Sequence, residues 1–340
     1  MEEIKRIVLN QETEEDLVTS ISVRPERLCD FIGQKSVVDN IKIAIEAALS
    51  RGEPLEHMLF SGPPGLGKTS LAHIITHEMN SRLTYTSGPA IQRAGDFIGI
   101  LTNLQSGDVL FIDEIHRLAK PVEEFLYPAM ENFKIDFIVD KGPYAKTINF
   151  NLKPFTLIGA TTRSGLLAAP LRDRFGILHH LDFYEPEDLS SIVLNAASKL
   201  SVELDAAAAL EIARRSRGTP RIAIRLLKRV RDFALVRTKG KKVTVSAVEQ
   251  AMAALKVDHE GLDELARRTL KVIIETYSGG PVGIEALAAT LNEETDSIAD
   301  VVEPYLLKAG FLRRTSRGRE ATDKARLHFG LPQSGGKGLF

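Results

Sequence analysis

The sequence predicts an α/β core with a parallel sheet around a phosphate-binding loop, followed by an all-α lid and a C-terminal winged-helix module. Three observations carry this expectation. Gly62-Pro63-Pro64-Gly65-Leu66-Gly67-Lys68-Thr69 reads G-x-x-x-x-G-K-T, between an apolar strand candidate, Met58-Leu59-Phe60, and a helix candidate over 69–79. Val109-Leu110-Phe111-Ile112 is a continuous apolar run, as in strands buried on both faces of a parallel sheet, and it ends in the acid pair Asp113-Glu114. From residue 185 the pattern turns to helix after helix and closes on an arginine-rich turn at 313–319.

Length and composition bound the answer first. The 340 residues allow two or three domains, and 44% hydrophobic with 26% charged residues fits a globular chain. Lys+Arg 44 against Asp+Glu 45 gives a net charge of -1, so any nucleic-acid affinity must come from a local basic patch. A single cysteine, Cys29, excludes an internal disulfide framework and a cysteine zinc site, and fits a reducing cytoplasm. The eight histidines lack metal-ligand spacing, and no apolar run is long enough to span a bilayer.

In chain order, residues 1–20 read as an N-terminal tail. Residues 21–184 form the predicted large domain. It opens on Val23-Arg24-Pro25 and Phe31-Ile32-Gly33, an extended entry and a turn. Apolar residues at 37, 41, 44, 45 and 48 then keep helical spacing. The loop at 62–69 supplies what a triphosphate needs. Glycines let backbone N–H groups converge, a helix N-terminus adds partial positive charge, Lys68 adds a full one, and the Thr69 hydroxyl can ligate Mg²⁺. A short strand over 83–86 and a helix over 96–104 precede the acid pair. Asp113 is placed to hold Mg²⁺ through water, and Glu114 to polarise a water against the γ-phosphate. A helix over 121–133 follows. Residues 134–151 alternate apolar and polar around Lys141-Gly142-Pro143, a β-hairpin candidate. Its Phe137, Val139, Tyr144 and Ile148 suit either core or a docking surface, and pattern alone favours core. Phe155 to Arg163 is another buried strand, ending in Thr161-Thr162. Thr162 is the first candidate to orient the attacking water, Thr161 the second. Leu171-Arg172-Asp173-Arg174-Phe175 follows on a helix.

Residues 185–255 form the predicted lid, with helices over 187–200, 205–216, 220–237 and 246–255. Asp205 and Ser246 are the expected N-caps, and Pro220-Arg221 opens the third helix. Residues 256–330 form the predicted head: three helices and a short hairpin. Arg313, Arg314, Arg317 and Arg319 crowd the hairpin, which suits a DNA-backbone contact or a solvated turn. Glu293 and Glu294 precede a helix over 296–309 that carries Asp296, Asp300 and Glu303. Phosphates repel that face, so the wing is expected to make most DNA contacts. Residues 331–340 read as a C-terminal tail.

In this combination the chain resembles the AAA+ ATPase family, and within it the bacterial motors of Holliday-junction branch migration, over about residues 20–330. The specific pieces are Gly62–Thr69, Phe111-Ile112-Asp113-Glu114-Ile115-His116-Arg117, Gly159-Ala160-Thr161-Thr162-Arg163, Pro170-Leu171-Arg172-Asp173-Arg174-Phe175-Gly176 and the winged module. Ser70 departs from a second threonine common in relatives, without chemical consequence. The resemblance implies ATP and Mg²⁺ as cofactors. It implies catalytic Asp113, Glu114, a first-sensor Thr162 and an arginine finger at Arg174, reaching a neighbouring subunit's γ-phosphate. It places Val23, Arg24, Gly65, Gly67, Lys68, Thr69, Ser70, Tyr184 and a second-sensor Arg221 on the nucleotide, with Glu131, Asn132 and Phe133 near the neighbour's. Thr69 and Asp113 would hold the metal. Arg314 and Arg319 would contact DNA, with Arg313 and Arg317 in support.

The resemblance further implies a cytoplasmic homo-hexameric ring on duplex DNA, acting in recombination and repair. The junction-binding protein RuvA would dock on the hairpin at 134–151, reversing the core-first reading, and the resolvase RuvC would join the larger complex. Rival readings are a clamp loader or replication initiator, of which a clamp-loader subunit would often carry a cysteine zinc cluster, and an ATP-switched DNA-binding regulator, which would not need Glu114 and Arg174. A protein unfoldase would want aromatic pore loops.

Overall fold

A computed structural model describes residues 23–138, 147–238 and 242–333. These divide into two compact units, 24–62 with 66–182, and 23 and 63–65 with 183–333.

The first unit is a five-stranded parallel sheet, built from β1 (Met58–Ser61), β2 (Leu83–Ser87), β3 (Val109–Asp113), β6 (Thr156–Thr161) and β7 (Ile177–His180) in the order β2-β3-β6-β1-β7. The apolar runs behave as expected. β6, in the middle, is buried at every position and β3 at all but its terminal Asp113, whereas edge strands β2 and β7 are half exposed. Helices Lys35–Arg51, Lys68–Glu78, Ala94–Asn103 and Lys120–Asn132 accompany the sheet. On the face holding the last two of these, Phe97, Leu101, Leu110, Ile112, Leu126 and Phe155 form one buried cluster. His57 ties this layer together from inside. Its Nδ1 accepts from the Leu157 N–H (2.9 Å), and its Nε2 then faces the Met130 carbonyl (3.1 Å) as donor. Burial lowers its pKa, which suits the neutral ring those two bonds require.

Strands β4 (Lys134–Ile138) and β5 (Thr147–Asn151) pair as the expected antiparallel hairpin. Of the docking-or-core candidates, Ile148 is exposed, Phe137 is placed only by its backbone pairing with Ile148, and Val139 and Tyr144 lie outside the described residues.

The second unit contains the helical segment and the head. Its first helices run Pro186–Lys199, Ala206–Arg214, Pro220–Phe233 and Val245–Ala254. Three details differ from the sequence expectation. The segment is not purely helical, because β8 (Glu203–Leu204) and β9 (Lys242–Val243) form a two-residue parallel ladder. Ser246 lies inside its helix, and Thr244 caps it by accepting from the Ala247 N–H (3.4 Å). Asp205 does stand at its helix start, but its carboxylate pairs with Lys242 (2.6 Å) across that ladder, so the capping bond is absent.

The head has helices Glu264–Lys271, Ile284–Leu291, Glu303–Lys308 and Asp323–His328, with the wing formed by β10 (Leu312–Thr315) and β11 (Gly318–Ala321). The last helix exceeds the expected three. Leu270, Ile273, Leu287, Leu306 and Phe311 fill its core. The turn before the head is fastened by the buried Arg217 guanidinium on Asp263. Burial alone would raise the Asp263 carboxyl pKa, but Arg217 and the Ala266 N–H outweigh it and hold it below the usual carboxylate range. Tyr305 closes the same junction by donating to the Glu260 carbonyl (2.8 Å).

Candidate functional site

In the first unit the chemistry collects at the C-terminal ends of three adjacent strands, where open α/β sheets hold ligands. β6 lies between β1 and β3. The loop after β1, the acid pair after β3 and Thr162 after β6 therefore share one edge of the sheet.

The loop's conformation is set by its own side chain and by one close approach. Lys68 is 7% exposed, and its ammonium donates back across the loop to the Gly62 carbonyl (2.7 Å). Gly62 has φ +128, and a Cβ there would stand 2.2 Å from the Leu181 carbonyl oxygen. No L side chain fits, so Gly62→Ala is expected to cost about 1–3 kcal/mol of stability and to weaken ATP binding. A thermal melt with a nucleotide titration checks both. Thr69 and Ser70 follow in the first turn of the helix, half buried.

At the end of β3, Asp113 accepts from the Glu114 N–H (2.9 Å). Glu114 sits in the left-handed region (φ 47), which turns its side chain away from the strand direction. Its carboxylate is 43% exposed and accepts from Arg117 (3.2 Å). Thr161 and Thr162 are separated plainly. The Thr161 hydroxyl is buried, meets His116 Nδ1 (3.0 Å) and accepts from the Arg163 N–H (3.0 Å). The Thr162 hydroxyl is buried with no hydrogen-bond partner among the described residues. A buried hydroxyl left unpaired costs about 1–3 kcal/mol, so this one is held ready for a group the protein does not supply. The glycine loop, the buried lysine and this orphaned hydroxyl fit a nucleoside triphosphate. The hard oxygens of Thr69 and Asp113 fit Mg²⁺.

Arg174 is held by the helix Lys120–Asn132 and by its own segment. Its guanidinium pairs with Glu131 (2.9 Å), donates to the Pro170 carbonyl (2.6 Å) and lies 4.5 Å over the Tyr127 ring. Of the neighbouring candidates, Glu131 is therefore occupied by Arg174, Asn132 is exposed at the helix end, and Phe133 packs against His57 and Phe155. Arg24 lies in the first unit, where its charge lowers the His73 pKa after burial has done so.

In the second unit Val23 and Tyr184 are buried, and the Tyr184 N–H donates to the Gly218 carbonyl (2.9 Å). Arg221 is exposed, and its N–H donates to the carbonyl of Gly65, a loop residue grouped with this unit (3.3 Å).

The wing departs most from the sequence reading. Glu303 is 1% exposed, so it adds nothing to a repulsive acidic face. It accepts from Arg314 (2.9 and 3.0 Å) and, in a two-pronged pair, from Arg319 (2.9 and 3.1 Å). Arg319 keeps only 14% exposure, and its backbone also bridges to Val282. Arg313 is exposed on Glu320 (2.7 Å), and Arg317 is exposed with no ion pair among the described residues. Arg319 is thus mostly covered by its pair with Glu303, whereas Arg313, Arg314 and Arg317 present charge to solvent. Sequence reasoning did not reach the role of Tyr127, the inward pairing of Glu303 or the Arg217–Asp263 fastening. An i, i+4 aromatic beside an acid was the only available signal for the first, and the others depend on long-range packing.

Among the described residues no cluster of three or more His, Cys, Asp or Glu could hold a metal, and no helix is long and apolar enough to cross a membrane.

Three family models match the chain in succession. They are the Holliday junction DNA helicase RuvB P-loop domain over residues 23–181, the RuvB AAA lid domain over 184–258 and the RuvB C-terminal winged helix domain over 259–330. The Holliday junction branch migration complex subunit RuvB of Desulfosudis oleivorans is 56% identical over 329 residues, 96% of each chain. Among solved structures, the Thermotoga maritima RuvB Holliday junction branch migration motor is 53% identical, with a TM-score of 0.85 over 92% of this chain and 100% of that one. A mutant of the same Thermotoga protein matches with a TM-score of 0.86 at 53% identity, over 92% of this chain and 99% of that one.

Proposed function

This chain belongs to the RuvB family of Holliday junction branch migration proteins, and from that premise we propose how its residues divide the work. It is an ATP-binding P-loop ATPase that drives branch migration of four-way DNA junctions, with DNA and RuvA as its partners. The observation that carries the residue assignments is the meeting of Lys68, the Asp113-Glu114 pair and the orphaned Thr162 hydroxyl at the ends of β1, β3 and β6.

On this reading the loop amides at Gly65 and Gly67 and the Lys68 ammonium cradle the β- and γ-phosphates, with Ser70 in support. Lys68 exchanges its bond to the Gly62 carbonyl for a phosphate oxygen. Thr69 and Asp113 hold Mg²⁺, which when bound neutralises charge on the phosphates. Glu114 leaves Arg117 to polarise the attacking water, and the Thr162 hydroxyl finds its missing partner in that water or the γ-phosphate. Val23, Arg24 and Tyr184 flank the nucleotide, and Arg221 reads the γ-phosphate. Arg174 completes a neighbouring subunit's site, so a ring, a homo-hexamer, is the working form. The hairpin at 134–151 docks RuvA, and RuvC joins the larger assembly. The wing carries duplex DNA through Arg313, Arg314 and Arg317 without reading sequence, and the protein works in the cytoplasm.

The test is a synthetic four-way junction with RuvA, ATP and Mg²⁺. Wild-type protein is expected to move the branch point, and Lys68→Ala to lose movement together with nucleotide affinity. Absence of ATP-dependent movement by the wild type with RuvA present would overturn the reading.

A further inference from the structure

Arg174 is held by three groups that differ in what they leave available. The Pro170 carbonyl lies four residues back, in the short helix Ala169–Arg172 whose following turn carries Arg174, so it moves with the arginine. Glu131 neutralises the guanidinium and is itself 49% exposed. A charge meant for a phosphate must give up or share that carboxylate. The Tyr127 ring supports the cation through its face, so it uses no N–H donor and cancels no charge. A planar guanidinium on an aromatic face also has its orientation fixed, which a point contact does not achieve.

The ring is held in turn. Glu123, Tyr127 and Glu131 are spaced four apart on the helix Lys120–Asn132, so they form one stripe. The Tyr127 hydroxyl donates to Glu123 (2.6 Å). Burial and this bond push the phenol up to about 12, so the ring stays neutral at working pH. Tyr127 also packs against the buried cluster of the first unit, which fixes its plane.

We propose that Tyr127 is a positioning residue for Arg174: its ring is the shelf that aims the guanidinium, and Glu131 is the counter-ion that the neighbour's phosphate displaces. The proposal rests on Arg174 acting as the finger. It assigns no chemistry to Tyr127 itself.

The test uses full-length protein assembled with DNA and compares Tyr127→Leu, Tyr127→Phe and Arg174→Ala. Tyr127→Leu is expected to lower kcat by at least about tenfold, the scale of a desolvated cation–π contact, with KM and nucleotide affinity unchanged. Tyr127→Phe keeps the ring face and should stay within about twofold of wild type, on the same scale. Mixing Tyr127→Leu subunits with Glu114→Gln subunits separates aim from folding. The Leu subunits have intact ATP sites and the Gln subunits have intact fingers, so the mixture should turn over faster than the two variants assayed apart. If Arg174→Ala is inactive while Tyr127→Leu turns over normally, or if the mixture shows no gain, the shelf assignment fails. A Phe variant as impaired as Leu would also overturn it, because the hydroxyl and not the face would then matter. Normal turnover by Arg174→Ala would instead remove the finger on which the proposal rests.

Discussion

Arg174→Ala is expected to lower ATP turnover by about 10³–10⁵-fold, the usual worth of an arginine finger, or roughly 4–7 kcal/mol of barrier. Nucleotide affinity should stay close to wild type, because Lys68 and the loop glycines are untouched. Thermal stability should fall only modestly. The pair that Arg174 makes with Glu131 leaves that carboxylate 49% exposed and is on the scale of a surface ion pair, about 0–1 kcal/mol, and the contact with the Tyr127 face adds about 0.5–2 kcal/mol. A large kinetic loss beside a small stability loss is the signature of a group that acts on the reaction and not on the fold, and subunit mixing then shows on which protomer it acts. Arg172→Ala is the control. It lies two residues away, half exposed, with only a loose pair to Asp173 (3.9 Å), and its removal should change little. Three measurements decide: kcat, the nucleotide Kd, and activity of Arg174→Ala mixed with Glu114→Gln. Turnover in the mixture but in neither variant alone would place the finger and the water-polarising acid on different subunits of one site. Normal turnover by Arg174→Ala would end the assignment.

Much of this site was legible in the sequence because its parts are local. A phosphate loop is eight consecutive residues whose backbone needs are written in its glycines. The acid pair is adjacent to its strand, and the apolar runs 109–112 and 155–160 signal burial on both faces by themselves. The sequence ranked Thr162 ahead of Thr161 but carried no geometric ground for it, since what separates the two hydroxyls is His116, which comes from the turn just after β3, 45 residues earlier. The parallel ladder between 203–204 and 242–243 was illegible for the same reason, because two-residue strands carry no periodicity. Charge was the least legible property. Glu303 reads as one acid on an acidic helix. Only folding shows that it points inward at two arginines from strands 11 and 16 residues further on.

That burial yields the second large effect. Glu303→Ala is expected to destabilise the head by about 3–5 kcal/mol, the cost of leaving a buried partner's charge uncompensated. The burden falls on Arg319, which is 14% exposed, while Arg314, at 57%, can turn to solvent. Arg314 and Arg319 stand directly opposite each other in the β10–β11 ladder. Without the carboxylate between them, two like charges face across the hairpin, and the pair becomes repulsive. The backbone will not relax this easily. The Arg319 N–H and C=O are both bonded to Val282, and a Cβ on Gly318 would meet the Val282 carbonyl oxygen at 2.3 Å, so the turn is already close-packed. Glu303→Gln keeps the shape and the acceptor but not the charge, so its loss should be smaller than that of alanine. DNA binding then distinguishes the wing's two kinds of arginine. Glu303→Ala leaves all four arginines in place, so affinity should fall through loss of wing order with the salt slope nearly kept. Arg317→Ala removes one exposed cation, so stability should change by less than about 0.5 kcal/mol and the magnitude of the salt slope should fall by about one. Denaturant unfolding and DNA titrations across a range of salt measure both. If Glu303→Ala melts like wild type, the buried pairing carries no stability and Arg319 returns to the set of DNA contacts.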